Sequence, residues 1–312
     1  MSEPESGIRA DEDERRLPVA LDRPESRSAI DAAVPPTVGV LGGGRMGAGI
    51  AHAFLCAGSR LLLAEADEAA AGAARGAVVA AVAASAERGT LREPAEAVLG
   101  RLAVGVGARS LAGSDLVVEA VPEDAALKAV VLGELEAAVA VTTAIATNTS
   151  SLSIDELAMV LDHPQRFCGL HFFNPVPASQ LVEIVVGART SPALVTEAGA
   201  WVTALGKTPI VVRDSPGFAS SRLGVALGLE AIRMVAEGVA SAEDIDAAMT
   251  LGYKHPVGPL RLTDLVGLDV RLGIADYLSS KLGGRFEPPA LLREMVARGE
   301  LGRKTGRGFY EW

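Results

Sequence analysis

Short apolar runs and longer stretches with a period near 3.6 residues take turns along most of this chain. Val38–Leu41 reads as a buried strand that runs straight into Gly42-Gly43-Gly44. A helical pattern follows from Met46 to Ala57 and stops at Gly58, and Leu61–Ala64 is a second strand. A long helical region, about residues 67–100, breaks near Gly89. Leu102–Val106, Leu116–Ala120 and Ala144–Thr147 read as strands, with helical period between Leu127 and Ala138. Ile154–Leu161 reads as a short helix opened by a capping box of Ser153 and Glu156. Phe167–His171, Leu181–Val186 and Ile210–Arg213 complete the strands, with a helix over about 191–205 between the last two.

Strands alternating with helices predict a doubly wound, mostly parallel α/β sheet for residues 36–213. After Pro216-Gly217 the pattern turns almost wholly helical, so a second domain is expected over 214–312. Residues 1–35 are charged, contain prolines and hold no steady period, and are expected to be a disordered extension.

Composition narrows the function classes. The formal net charge is −10, a poor match to nucleic acid or an anionic membrane surface. The N-terminus lacks the apolar core of a secretory signal, and Asp11, Glu12, Asp13 and Glu14 are foreign to a mitochondrial presequence. No apolar run is read as membrane-spanning; Arg75 interrupts the Ala69–Ala86 stretch, which reads as a helix of a soluble protein. Cys56 and Cys168 read as reduced, packed thiols, which favours the cytoplasm. The histidines show no zinc spacing, and no metal is expected.

Gly42, Gly44 and Gly47 form Gly-x-Gly-x-x-Gly, placed between a strand and a helix and followed by a second strand that ends in Glu65. In that context the pattern is a dinucleotide fingerprint. Gly42 allows the tight turn, Gly44 lets backbone approach a pyrophosphate, and Gly47 lets helix and strand pack closely. A carboxylate at Glu65 accepts hydrogen bonds from ribose hydroxyls and repels a 2′-phosphate. Ala66, Asp67 and Glu68 supply no cation, so NAD is expected rather than NADP.

His171 ends an apolar strand, where ligands bind in such a sheet, and an imidazole titrates near working pH. Glu183, twelve residues on, is an isolated acid in an apolar strand. It needs a partner if buried, and a histidine would satisfy it; the alternative is a surface glutamate on an edge strand. Ser150 and Ser151 follow another strand, where a hydroxyl can meet a substrate alcohol or cap a helix. Asn174 precedes Pro175 in an extended turn and can hold a nicotinamide or the local backbone.

These stretches together resemble the 3-hydroxyacyl-CoA dehydrogenase family, short-chain 3-hydroxybutyryl-CoA type. The resemblance is carried by Val-Gly-Val-Leu-Gly-Gly-Gly-Arg-Met-Gly-Ala-Gly, Asp-Leu-Val-Val-Glu-Ala-Val-Pro-Glu, Asn-Thr-Ser-Ser-Leu-Ser-Ile, His-Phe-Phe-Asn-Pro-Val-Pro, Leu-Val-Glu-Ile-Val, Asp-Ser-Pro-Gly-Phe and Gly-Arg-Lys-Thr-Gly-Arg-Gly-Phe-Tyr, in order over residues 37–312. It implies a Rossmann-like domain followed by an all-helical C-terminal domain that dimerises with a second copy. It implies NAD-dependent interconversion of a 3-hydroxyacyl-CoA and the 3-ketoacyl-CoA by a His171–Glu183 dyad, with Ser150 on the substrate oxygen. Arg45, Met46, Glu123, Lys128, Asn148 and Asn174 fall near the cofactor or the catalytic centre by the same resemblance. Arg88 falls where members often carry a base that meets a CoA phosphate; it reads equally as a solvated helix charge.

Two positions depart from the pattern. Ser221 replaces the family's usual Asn before Arg222, a side chain that places the substrate oxygen, and Gln180 replaces a frequent Lys. Both bear on the acyl substrate, so a free hydroxy acid or an acyl-carrier thioester stays open beside acyl-CoA. A non-catalytic NAD(H)-binding protein is the reading from another class. The apolar stretch Leu223–Val235 suits a dimer interface or the interior of one subunit.

Overall fold

The computed structural model describes residues 33–312; most of the expected N-terminal extension lies outside them. The chain runs through β1 (Thr37–Leu41), α1 (Arg45–Cys56), β2 (Arg60–Glu65), α2 (Glu68–Glu87), α3 (Ala95–Leu99), β3 (Leu102–Val106), β4 (Leu116–Glu119), α4 (Ala125–Ala138) and β5 (Ala144–Thr147). It continues through α5 (Ile154–Leu157), β6 (Phe167–Phe172), β7 (Leu181–Val186), α6 (Pro192–Ala204) and β8 (Thr208–Arg213). The strands form one sheet in the order β3-β2-β1-β4-β5-β6-β7-β8. All neighbours are parallel except β6 and β7. The remainder is helical: α7 (Ser220–Ala236), α8 (Ala242–Ala247), α9 (Pro259–Val266), α10 (Leu268–Leu282) and α11 (Ala290–Ala297).

The side-chain alternation of the strands sorts the core onto two faces. Val38, Val40, Leu61, Leu63, Leu170 and Val182 join one cluster with α1, α2 and α6. Leu41, Leu62, Val117, Ile145, Phe167 and Val185 join another with α4 and α5. His171 and Glu183 have the parity of the second set, and that cluster also includes Phe218, just ahead of α7. A third cluster, built on Val225, Leu229, Ile232, Leu260 and Leu278, holds the helices together.

Several elements differ from their sequence reading for physical reasons. β8 starts two residues earlier, at Thr208, and includes Pro209. It is an edge strand, where a residue without an N–H is tolerated. The capping box at α5 forms by half: Ser153 Oγ accepts from Glu156 N–H at 3.1 Å, whereas the Glu156 carboxylate turns away to Lys281 Nζ at 2.8 Å. The region over 67–100 is α2 and α3, with Gly89 between them at φ +68°. By length and composition α2 does qualify as a membrane-spanning candidate, against the sequence reading. Ala74, Val78 and Val82 of its buried stripe pack into the sheet cluster, while most of its other residues stay exposed.

Candidate active site

The glycine turn is built from backbone. Gly42 has φ +93°, a conformation costly for any side chain, and a β-carbon there would meet the Ala120 backbone at 2.9 Å. A β-carbon on Gly47 would fall 1.7 Å from Gly42 O, so α1 crosses the end of β1 at a distance only glycine permits. One on Gly44 would meet nothing within 4 Å. That open side faces outward where α1 begins. Gly44 gives α1 no side-chain cap and the first turn holds no acid, so the amides of the Arg45–Gly47 turn are available to an anion.

Glu65 closes the turn from β2. Its Oε1 accepts the Gly43 N–H at 2.5 Å. Asp67 is occupied as the cap of α2, accepting from Ala70 N–H at 2.8 Å. The end of β2 therefore presents carboxylate and no cation, which fits the two ribose hydroxyls of NAD.

The second half of the site is built from side chains. β6 and β7 pair antiparallel, and their register sets His171 opposite Glu183. Nδ1 of His171 lies 2.7 Å from Glu183 Oε2. Glu183 is 0% exposed and sits on an interior strand, so the edge-strand alternative falls away. Its other contacts come from the turn into α7. Ser220 N–H donates to Oε1 at 2.9 Å, Ala219 N–H to Oε1 at 3.2 Å, and Ser220 Oγ to Oε2 at 2.5 Å. Burial pushes this carboxyl up, but the hydrogen bonds from His171 and Ser220 outweigh it and hold the group below the usual glutamate range. An ionised carboxylate only accepts, so Nδ1 is the donor in this contact, and in a neutral ring Nε2 is the acceptor. Phe173 and Phe218 pack on the imidazole, with ring centroids 4.4 and 5.8 Å away. Nε2 has no hydrogen-bond partner among the described residues.

The sequence model for "3-hydroxyacyl-CoA dehydrogenase, NAD binding domain" matches residues 37–215, and that for the C-terminal domain of the same enzymes matches 217–312. The chain belongs to the 3-hydroxyacyl-CoA dehydrogenase family. A probable 3-hydroxybutyryl-CoA dehydrogenase of Deinococcus radiodurans is 40% identical over 275 residues, covering 88% of this chain and 99% of the relative. Among solved structures, Mycobacterium tuberculosis FadB2 superposes with a TM-score of 0.86 at 40% identity, covering 89% of this chain and 99% of that one. The (S)-3-hydroxybutyryl-CoA dehydrogenase PaaH1 of Ralstonia eutropha gives 0.85 at 39% identity, covering 89% of this chain and 99% of its own.

In this family member the remaining sequence-selected residues fall into three groups. Glu123 organises the turn after β5. Its Oε1 accepts from Thr149 Oγ1 at 2.6 Å, Ser150 N–H at 2.8 Å and Ser150 Oγ at 3.2 Å. Ser150 is thus bonded to Glu123 rather than to His171. Ser151 also faces Glu123, at 3.4 Å, and does not cap α5; Ser153 does. Lys128 lies beneath, 1% exposed, with Nζ 2.7 Å from Glu119 Oε1 and 3.5 Å from Glu123 Oε2. Asn148 ties this turn to the dyad, accepting the Phe172 N–H on Oδ1 at 2.9 Å.

The other groups are more separate. Asn174 precedes a cis peptide to Pro175. The side chains of Asn174 and Ser221 make no hydrogen bond among the described residues. Arg88 ends α2 and donates to Ser85 Oγ at 3.1 Å. It lines a cavity of about 660 Å³ with Arg92, His52, Lys207, Pro175 and Pro177, the two prolines belonging to the loop that leaves His171. Lys207 Nζ pins that loop through the Val176 and Ser179 carbonyls.

Sequence reasoning missed Glu119, Thr149 and Ser220. Glu119 carried the same signal as Glu183, a single acid in an apolar strand. Ser220 had no signal, because its partner is set by how α7 meets the sheet.

Proposed function

We propose that this NAD-dependent dehydrogenase oxidises the 3-hydroxyl of a short-chain 3-hydroxyacyl-CoA, such as 3-hydroxybutyryl-CoA, and runs the reverse reduction, with His171 moving the proton. The observation that carries this reading is the buried His171–Glu183 contact at 2.7 Å, which leaves Nε2 without a hydrogen-bond partner among the described residues. When bound, NAD supplies the two-electron acceptor.

His171 Nε2 takes the hydroxyl proton in oxidation and returns it in reduction. Glu183 fixes the tautomer and stabilises the imidazolium as it forms. Ser150 turns its hydroxyl from Glu123 to the substrate oxygen, a small loss since that bond is long at 3.2 Å. Gly42, Gly44, Arg45, Met46 and Gly47 hold the pyrophosphate, Glu65 the ribose, and Glu123, Lys128, Asn148 and Asn174 the nicotinamide side. Arg88 meets a CoA phosphate in the cavity that Arg92 and Pro175 also line.

Ser221 supports a second reading, in which the acyl group arrives on a carrier protein or as a free hydroxy acid. Turnover of acetoacetyl-CoA, an acyl-carrier thioester and free 3-hydroxy acids with NAD(H), by wild type and Ser221→Asn, separates the two. Fastest turnover of the CoA ester is expected; preference for either other substrate would overturn the CoA assignment. We further propose a homodimer through the helical half, where Leu223, Leu251, Val266 and Val270 stay exposed, checked by light scattering. The free thiols Cys56 and Cys168 support the cytoplasm as its compartment.

A further inference from the structure

Glu183 Oε2 receives two donors, and only one of them is the imidazole. Ser220 Oγ donates to the same oxygen at 2.5 Å, while Oε1 takes the backbone N–H groups of Ala219 and Ser220. These last three donors belong to the start of α7. That helix has no side-chain cap of its own from Ala219 and no acid in its first turn. Glu183, from the sheet, therefore serves as its capping anion.

We infer that Ser220 is a positioning residue for the dyad, and that its hydroxyl weakens the hold of Glu183 on the imidazole so that His171 gives up its proton more readily. The inference rests on the dyad reading above. The physical reason is competition at one oxygen. A hydroxyl that donates to Oε2 withdraws charge from it and makes it a poorer acceptor for Nδ1–H. Without that hydroxyl, Oε2 binds the imidazolium more strongly, and the protonated form persists to higher pH.

The surroundings leave Ser220 as the adjustable partner. Across β6 the facing residue is His171, and across β8 the register partner is Ile210, which is apolar. From α7, Arg222 is turned to Ser215 Oγ at 3.3 Å. Asp214 is taken up by Ser153 and Asp155 N–H at 2.7 and 2.9 Å. From the β5 side Asn148 is neutral and bonds backbone, and the rings of Phe173 and Phe218 cover the imidazole. His171 is thus the only titratable side chain bonded to Glu183 among the described residues. Ser220 itself is half-buried at a helix start.

The test is the pH profile of kcat/KM for oxidation, measured on full-length wild type, Ser220→Ala and Ser220→Thr with 3-hydroxybutyryl-CoA and NAD, with melting temperatures alongside. In Ser220→Ala the acid limb should move to higher pH by roughly half a unit to one unit, a fraction of what a charge-assisted hydrogen bond contributes. Ser220→Thr, which keeps the hydroxyl, should retain the wild-type limb. A merely structural role would lower the melting temperature and leave the limb in place, and that result would overturn the inference, as would equal shifts in both variants. Should Ser220→Ala fail to fold, Ser220→Cys, nearly isosteric and a weaker donor, should show the same upward shift in smaller measure; an unmoved limb there also overturns it. His171→Asn run in parallel separates the two levels. If it keeps wild-type turnover, the dyad reading fails; if it loses turnover while the Ser220→Ala limb stays fixed, only the role of Ser220 fails.

Discussion

The two ends of the candidate site are made of different material. At the glycine turn, Gly42, Gly44 and Gly47 work by what they lack, and the groups offered to a ligand are backbone amides within one short stretch of chain. At the dyad, His171, Glu183, Ser220 and Asn148 work by side-chain chemistry and come from β6, β7, α7 and the end of β5. The first end is specified locally and has no room for a β-carbon at Gly42 or Gly47. The second is specified by strand register and by how helix meets sheet, and it is sensitive to single functional groups. Binding and chemistry should therefore come apart under mutation.

The largest effect is expected at the dyad. His171→Ala should lower turnover by about a hundred- to ten-thousand-fold, the usual worth of general acid–base help, while NADH titration shows unchanged affinity. A joint loss of affinity and turnover would erase the distinction between the two ends.

The glycine turn offers a matched pair of changes. Gly47→Ala puts a β-carbon where Gly42 O already sits, and should cost about 1–3 kcal/mol of stability in urea melts along with NADH binding. Gly44→Ala adds the same atom to open space. It should leave stability within about 0.5 kcal/mol of wild type. NADH affinity should nevertheless fall about tenfold, since backbone can no longer approach the pyrophosphate. Equal stability losses in both variants would show that the turn is a packing device alone.

The smallest effect concerns acid stability. Glu183 titrates below its ordinary range in the folded chain, so it contributes stability that is fully present above the ordinary glutamate pKa. That contribution is lost as pH falls through the lower, folded value. Glu183→Gln should melt below wild type at neutral pH, and the gap should close as the solution is acidified into and below the ordinary glutamate range. A gap that stays constant with pH would mean the carboxylate charge contributes nothing to folding.

The same contrast explains what was legible in the sequence. The strand–turn–helix of the glycine motif could be read nearly to the residue, because its requirements are steric and local. The doubly wound sheet followed by helices was equally readable from periodicity. His171 and Glu183 could be selected as chemically unusual, and an isolated acid in an apolar strand did mark a buried carboxylate. What could not be read was Ser150 bonded to Glu123, Lys128 sunk against Glu119, or Ser220 on the dyad. Each depends on residues brought together across strands or between sheet and helix, and no spacing in one dimension encodes such meetings. Pro209 inside β8 shows the reverse error, a local breaker overruled because the strand lies at an edge.

The contact between Glu183 and the start of α7 also bears on how this enzyme can be recombined. The two family matches meet between residues 215 and 217, an obvious seam for building chimeras. A splice there would join a foreign helix to a carboxylate that takes two backbone N–H groups, at positions 219 and 220, and one side-chain hydroxyl from that helix, and the hydroxyl is the donor a foreign sequence can lack. Swaps that carry Ala219, Ser220 and the first turn of α7 with the sheet keep those donors, and the workable crossover point lies inside the helix rather than at the seam.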